Sequence, residues 1–233
     1  MISIIIPAHK EAENIDFLVR KLSGLKKKEH FEILVALSPE SQANFCNETL
    51  ENAIVLQCHK KGRASQMNEA ARTAKGDVLA FLHADVRPPE TFLLDIRRTM
   101  EEEYDAGFFS YRFDKESLPL RINSYFTGKN GIFTGGGDQC LFIKTELFNR
   151  LGQFDETQVV MEDFEFFKRI KKHGLRYKIV KNNLIVSARK YDSNSYLRVN
   201  LSNLLLVVLF KMGYSSQKLK TLHDKLIKTP YNS

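Results

Sequence analysis

The N-terminal part of the chain alternates between short β-branched segments and amphipathic segments, and this alternation constrains the fold more than any other feature. Residues 2–6 are apolar and mostly β-branched, whereas residues 11–22 place Ile15, Leu18 and Leu22 at helical spacing. Strands that alternate with helices predict right-handed βαβ crossovers and a mostly parallel sheet. Such sheets bind ligands beyond the carboxyl ends of their strands. The predicted fold class is therefore α/β.

The same patterns predict the other elements. In the first part, strands are expected at 31–37, 53–56 and 77–83, and helices at 62–74 and 88–100. After residue 104 we expect a half-buried strand around 109–113, a helix at 118–129, a glycine turn at 135–137 and a strand at 139–143. The next expected element is a helix at 162–173, with Phe164, Phe167 and Ile170 facing inward. It is followed by strands at 175–180 and 184–186, and by two helices within 194–228 that are separated near Gly213.

Composition excludes several classes of protein. The chain has 233 residues, a net charge of +7 and three cysteines without a CxxC pair. The charge favours anionic partners, which could be nucleic acid, phosphate-bearing substrates or an acidic membrane surface. Scattered cysteines argue against a disulfide framework or a structural zinc site and favour a reducing compartment, so a cytoplasmic location is expected. The longest uninterrupted apolar run, 204–210, is far shorter than the ~20 residues of a membrane span.

Two polar side chains, His83 and Asp85, follow the predicted strand at 77–83. At the carboxyl end of a strand they can point into one crevice, where a carboxylate can hold a divalent metal that bridges two phosphates. Neutral histidine can also be a ligand, and Mn²⁺ accepts nitrogen more readily than Mg²⁺. The alternative is an aspartate that only forms a turn before the next helix.

Two further charged residues lie at the start of predicted helices. Arg63 opens the helix at 62–74 and could receive an anion there, or it could be an exposed basic residue. Asp163 opens the helix at 162–173 and could be a helix cap, or a general base that deprotonates an alcohol if burial raises its pKa.

Together these segments resemble the family 2 glycosyltransferases. Two segments resemble its donor side: IIIPAHKEAENI at 4–15 is similar to the nucleotide loop, and GDVLAFLHAD at 76–85 is similar to the metal strand. Two others resemble its acceptor side: LGQFD at 151–155 is similar to the acceptor-side loop, and MED at 161–163 is similar to the catalytic element. The match is closest to a bacterial branch, sometimes labelled as arsenosugar-associated, that carries GRAxQMN, FLHAD, GDQ, MED and SARK-like segments in this order. Here they occupy 62–68, 81–85, 137–139, 161–163 and 187–190.

The resemblance implies a fold, a domain organisation and roles for matched residues. It implies a GT-A fold in one domain, 1–233, with a nucleotide-sugar half at 1–104, an acceptor half at 105–193 and C-terminal helices at 194–228. The implied donor-binding residues are Pro7, Ala8, His9, Glu11, Arg63, Asn68, His83, Ala84 and Asp85. Asp85, with His83, would bind Mn²⁺ or Mg²⁺. Asp163 would be the catalytic base, and Glu162 would support the acceptor side.

The implied activity is a metal-dependent inverting transfer of a sugar from a nucleotide-diphosphate donor to an acceptor hydroxyl, with no nucleic-acid partner. One position departs from the family pattern, because Leu37 stands where members often have an aspartate that contacts the nucleotide. The donor base and sugar therefore stay open. The alternatives are a nucleotidyltransferase on a similar scaffold and a non-catalytic module that binds sugar nucleotides or a membrane surface.

An apolar stripe within the first C-terminal helix has two interpretations. Leu197, Leu201, Leu204, Leu205 and Val208 recur at helical spacing. A buried helix explains the stripe most simply. Peripheral membrane contact through 195–212 is the alternative, because Arg198 and Lys211 flank the stripe.

Overall fold

The computed structural model describes residues 1–25, 30–41 and 44–228. One eight-stranded sheet runs through them. Its strands are β1 Ile2–Ala8, β2 Phe31–Leu37, β3 Ile54–Gln57, β4 Val78–Phe81, β5 Val86–Arg87, β6 Ala106–Phe113, β7 Phe142–Lys144 and β8 Tyr177–Val186. Their order across the sheet is β3-β2-β1-β4-β7-β6-β8-β5. Strands β1, β2, β3 and β4 are parallel, and so are β6 and β8. Strand β7 is antiparallel to both of its neighbours, and β5 is antiparallel to β8. The predicted mostly parallel α/β sheet is confirmed.

The helices are α1 Ala12–Ser23, α2 Asn47–Asn52, α3 Arg63–Thr73, α4 Phe92–Glu101, α5 Leu118–Thr127, α6 Thr145–Arg150, α7 Glu162–Lys172, α8 Tyr196–Lys211 and α9 Ser216–Leu226. Single 3₁₀ turns lie at Gly137–Gln139 and Arg189–Tyr191.

Both faces of the sheet are covered, and β1 shows why its sequence is apolar throughout. Ile4 and Ile6 belong to a buried cluster that includes Leu18 of α1, whereas Ile5 packs into a second cluster with Met67 of α3. Because successive strand residues point to opposite faces, a strand with helices on both sides has no solvent-facing position.

The structure corrects several details of the prediction. Helices α2 and α6 and the short strand β5 were not predicted, because they are too short to show a full hydrophobic period. The two strands expected at 175–180 and 184–186 form the single strand β8. On α7 the buried aromatic pair is Phe166 and Phe167, and Phe164 instead lines the cavity described below.

The C-terminal pair of helices is confirmed, but the buried interpretation of its apolar stripe is wrong. Leu197 is 68% exposed and Leu201 is 63% exposed, and Leu204, Leu205 and Val208 are exposed as well. The buried face of α8 consists of Val199, Ser202, Leu206 and Val207. Within the described part of the chain, no helix has the length and hydropathy needed to span a membrane.

Candidate active site

A cavity of about 690 Å³ opens beyond the carboxyl end of β4. Its charged and titratable side chains include five from five different segments: Arg63, His83, Asp138, Asp163 and Lys190. Its other walls come from α5, the loop that follows α5, the start of α7, and α8 and α9. The predicted location at the carboxyl edge of the sheet therefore holds a cavity with both acidic and basic groups.

Asp163 lies in the first turn of α7 and lines the cavity although it is largely buried. Burial and the neighbouring Glu162 carboxylate raise the pKa of Asp163 to about 7, although Arg63 opposes the shift. Gly137 packs directly against it: a Cβ atom at Gly137 would lie 2.6 Å from Asp163 Oδ2 and 2.4 Å from His83 Cε1. Only glycine lets the backbone pass between these two side chains.

Glu162 and Arg63 form an ion pair at the base of the cavity. Arg63 Nε lies 2.7 Å from Glu162 Oε1, and the Glu162 side chain is 0% exposed whereas that of Arg63 is 47% exposed. The buried carboxylate thus holds the inner part of the guanidinium while its outer part remains accessible from the cavity. The Glu162 carboxylate therefore lies against Arg63, and its expected support of the acceptor side stays a prediction.

Asp138, on the Gly137–Gln139 turn, lies between the side chains of His83 and Lys190. His83 Nδ1 is 3.8 Å from Asp138 Oδ1, and Lys190 Nζ is 3.9 Å from Asp138 Oδ2. Burial alone would raise the pKa of Asp138, but His83, Lys190 and Arg63 outweigh burial and hold it well below its usual range. Burial lowers the pKa of His83, but Asp138 and Asp163 overcome that effect, so its net pKa is raised.

Asp85 faces a different partner from His83. Arg189 Nη2 donates a hydrogen bond of 3.1 Å to Asp85 Oδ2. Among the described residues no group of three or more histidine, cysteine or acidic side chains is placed to enclose a metal ion. A magnesium-type ion bound mainly by substrate phosphates needs only one or two protein carboxylates, however. The partly exposed Asp85 carboxylate fits that role, and His83 faces Asp138 and Asp163.

A small polar cluster lies at the carboxyl ends of β1 and β2. His9 Nδ1 is 2.7 Å from Ser38 Oγ, and Ser38 Oγ is 2.8 Å from Ser41 Oγ. Gln57 Nε2 donates to the backbone carbonyl of Ser38 at 2.7 Å. Leu37 itself is buried in the core. The polar atoms at this edge therefore come from the residues beyond Leu37.

The remaining predicted donor-binding residues occupy different environments. Pro7 and Ala8 end β1, and Ala84 lies between His83 and Asp85. Glu11 accepts a hydrogen bond from Asn14, and its pKa is raised, mainly by burial. Asn68 is different, because its amide exchanges hydrogen bonds with the backbone of Phe154 at 2.9 and 3.0 Å. We leave Asn68 out of the proposed site, since its amide joins α3 to the segment around Phe154 between α6 and α7.

Sequence reasoning gave no role to Asp138, Arg189 or Lys190. Their segments, GDQ at 137–139 and SARK at 187–190, were quoted for the resemblance. Nothing local to either segment shows that Arg189 meets Asp85, which is 104 positions away. The only local indication of a functional role was that Asp138 follows a run of glycines and that Arg189 and Lys190 follow a predicted strand.

The mostly parallel sheet, with a cavity at the carboxyl ends of its strands, places the protein among the α/β folds that bind ligands at that edge. The family model for "Glycosyl transferase family 2" matches residues 3–176. The chain therefore belongs to glycosyl transferase family 2. A comparison with curated protein sequences finds no match.

Solved structures agree with this fold. The mannosyltransferase PcManGT from Pyrobaculum calidifontis, in complex with GDP-Man and Mn²⁺, has a TM-score of 0.64 and 18% identity, over 97% of this chain and 68% of that one. A structure of part of S. aureus TarS with UDP-GlcNAc has a TM-score of 0.62 and 17% identity, over 95% and 70%. A longer TarS structure has a TM-score of 0.61 and 16% identity; the match covers 97% of this chain but only 42% of that one. The predicted GT-A fold is confirmed.

Proposed function

We propose that this chain transfers a sugar from a nucleotide-diphosphate donor to an acceptor hydroxyl, with inversion at the anomeric carbon. The observation that carries the proposal is Asp163: a cavity-lining carboxyl whose pKa is raised to about 7, close to the half-exposed cation Arg63. A general base works best when its pKa is near the working pH. Membership of glycosyl transferase family 2 supports the same reaction class.

In the proposed step the acceptor oxygen attacks the anomeric carbon while its proton passes to Asp163. The bond between that carbon and the diphosphate oxygen breaks, and the nucleoside diphosphate leaves with the electron pair. A single in-line displacement inverts the configuration. Arg63 and Lys190 line the cavity, and their positive charges would stabilise the charge that develops on the leaving group.

Asp85 is the residue that would hold Mn²⁺ or Mg²⁺, with the diphosphate as the other main source of ligands. Such an ion supplies additional positive charge at the leaving group when it is bound. The likeness to the PcManGT structure, which contains Mn²⁺, supports divalent metal use. We assign His83 to the pair with Asp138 rather than to the metal, because its ring nitrogen faces that carboxylate.

For the nucleotide we propose the cluster of His9, Ser38 and Ser41, together with the backbone of Pro7 and Ala8. These hydroxyl and imidazole groups lie at the strand ends, where the side chain of Leu37 has no hydrogen-bonding atom. Serine hydroxyls both donate and accept hydrogen bonds, so they can replace a carboxylate at a base or ribose. Ser38→Ala is expected to weaken nucleotide binding while the binding of metal alone stays unchanged.

The test of the reaction combines donor binding with turnover. Thermal shift against nucleoside diphosphates and nucleotide sugars, with and without Mn²⁺, identifies the donor, because a ligand of the native state raises its melting temperature. Asp163→Asn should retain the donor shift but lower transfer about a thousandfold, which is within the usual contribution of a general base. Glu146→Gln, at an exposed carboxylate on α6, is the matched control and should transfer normally.

Two results would replace the proposal with its alternatives. Release of pyrophosphate rather than a nucleoside diphosphate would indicate a nucleotidyltransferase. Donor binding without turnover in the presence of any acceptor, together with an Asp163→Asn variant that behaves like wild type, would indicate a binding module.

A further inference from the structure

An exposed apolar surface runs along α5 and reaches the mouth of the cavity. Its members are large, exposed side chains that share one side of the helix or follow it closely: Leu118, Ile122, Tyr125, Phe126, Ile132 and Phe133. We call this set the α5 surface. Phe126, Ile132 and Phe133 also line the cavity. The apolar surface is therefore continuous with the cavity wall.

Polar contacts join α5 to α8, the helix that carries the second exposed apolar stripe. Asn123 Nδ2 donates to Asn200 Oδ1 at 2.8 Å, and the Tyr196 hydroxyl donates to Asn123 Oδ1 at 2.8 Å. Single exposed apolar residues are ordinary on a protein surface, but a contiguous apolar patch of this kind marks a site of interaction.

A basic groove adjoins the α5 surface on its other side. Its volume is about 830 Å³, and it is lined by Leu118, Ile122 and Tyr125 together with five cations: Arg112, Lys115, Arg121, Lys129 and Lys181. Glu116 is the one acidic side chain among the described residues that line it. Lys115 pairs with Asp192, and Lys129 stands 4.2 Å above the Tyr125 ring.

The other three cations of this groove, Arg112, Arg121 and Lys181, make no ion pair within the described ranges 1–25, 30–41 and 44–228. Apolar side chains of α5 thus meet three unpaired cationic side chains in this groove, of which Arg121 lies on α5, Arg112 on β6 and Lys181 on β8. That combination complements the surface of an anionic bilayer, where cations meet lipid phosphates and apolar side chains enter the boundary of the acyl chains.

We propose that the α5 surface and the α8 stripe bind an anionic membrane and turn the mouth of the cavity towards it. The acceptor would then be an amphiphile held in the membrane, with its hydroxyl reaching the cavity past Phe126 and Phe133. This last step rests on the proposed transfer reaction, whereas membrane binding does not.

The experiment is vesicle flotation of the intact protein. Vesicles of phosphatidylcholine alone are compared with vesicles that also contain phosphatidylglycerol, and binding is expected only to the second, with a loss at high salt. Leu118→Gln combined with Ile122→Gln should lower partition about tenfold or more, because their apolar groups leave the interface. Arg121→Gln combined with Lys181→Gln should lower it by a similar factor.

Matched controls come from the opposite part of the sheet. Leu50→Gln removes an exposed leucine from α2, and Lys75→Gln removes an exposed lysine after α3. Neither should change flotation. All these positions are exposed, so the variants should melt like wild type.

Three outcomes would overturn the inference. Wild type could remain in solution with both vesicle types, the two double variants could float like wild type, or light scattering could show a dimer that Leu201→Gln dissociates. Donor binding by thermal shift is measured on the same samples. Flotation without donor binding would count against the transfer reaction alone, and donor binding without flotation would count against the membrane surface alone.

Discussion

The candidate site has two sides that differ in how they are built. The sheet side comprises the carboxyl ends of β1, β2 and β4 with the start of α3, and its polar side chains are held by one another, as in the contact of His9 with Ser38. The helical side comprises α5 and α8 with the loop after α5, and it presents apolar side chains to the cavity and to solvent.

This difference indicates which side of the site binds charged groups and which side accommodates apolar groups. Charged groups need partners at fixed distances, and strand ends and helix starts fix them well. An apolar wall needs only a surface of suitable shape, without partners at fixed distances, and two adjacent helices can provide it. Activity and stability should therefore be sensitive to small side-chain changes on the sheet side and less sensitive to them on the helical side.

The largest effect is expected from Arg63→Met, which leaves the fully buried Glu162 carboxylate without its 2.7 Å partner. Breaking a buried ion pair costs about 3–5 kcal/mol of unfolding free energy, and the low end is expected here because Arg63 is itself 47% exposed. Urea denaturation measures it, with Arg72→Met at an exposed position of α3 as the control. The double variant Arg63→Met with Glu162→Gln should recover part of the loss, and a further loss would contradict the pairing.

Gly137→Ala should have the next largest effect, because its Cβ atom would collide with both His83 and Asp163. We expect turnover to fall about thirtyfold, with a loss of about 1–3 kcal/mol in stability from the forced displacement. Gly131→Ala is the matched control, since nothing lies within 4 Å of a Cβ atom there. Equal kinetics for the two variants would mean that Gly137 does not separate the two side chains.

The raised pKa of Asp163 predicts opposite effects of pH on activity and on stability. A base must be deprotonated, so transfer should fall as pH decreases through about 7. Because the folded state binds this proton more tightly than the unfolded state, wild-type stability should decrease as pH rises from the ordinary aspartate range towards 7.

Asp163→Asn removes the charge and should be about 1 kcal/mol more stable than wild type above pH 7, while its transfer is about a thousandfold slower. Paired denaturation curves and a pH–rate profile test both statements. A variant that is less stable than wild type at high pH would show that the carboxylate stabilises the fold.

The smallest effect is expected on the solvent face of α8. Leu205 is 42% exposed and its neighbour Leu206 is 4% exposed. Leu205→Ala should change stability by less than about 0.5 kcal/mol, whereas Leu206→Ala should cost about 2 kcal/mol or more. Thermal or urea unfolding distinguishes them. Equal losses would mean that the stripe is covered in solution, for example by a second copy of the chain.

Much of the sheet side could be predicted from local patterns. The apolar segment at 2–6 and the FLHAD segment at 81–85 predicted strands whose carboxyl ends carry polar groups, and the structure brings those ends together. Parallel strands have to end at one edge, so strand prediction already restricts where His83 and Asp85 can lie.

The helical side could not be predicted in the same way. The spacing of Leu197, Leu201 and Leu205 indicates one helical face, but periodicity alone does not show whether the rest of the protein buries that face. In the structure α8 buries the face with Val199 and Leu206 instead.

The sequence by itself determined the fold class, the order of the strands and helices along the chain, and the segments that carry polar groups, because these follow from local periodicity and residue type. The tertiary structure decided which of those groups meet. It pairs Asp85 with Arg189, places Asp138 between His83 and Lys190, and leaves the α8 stripe exposed. Such partners come from distant parts of the chain, and their distances follow from how the sheet curls and how the helices pack against it.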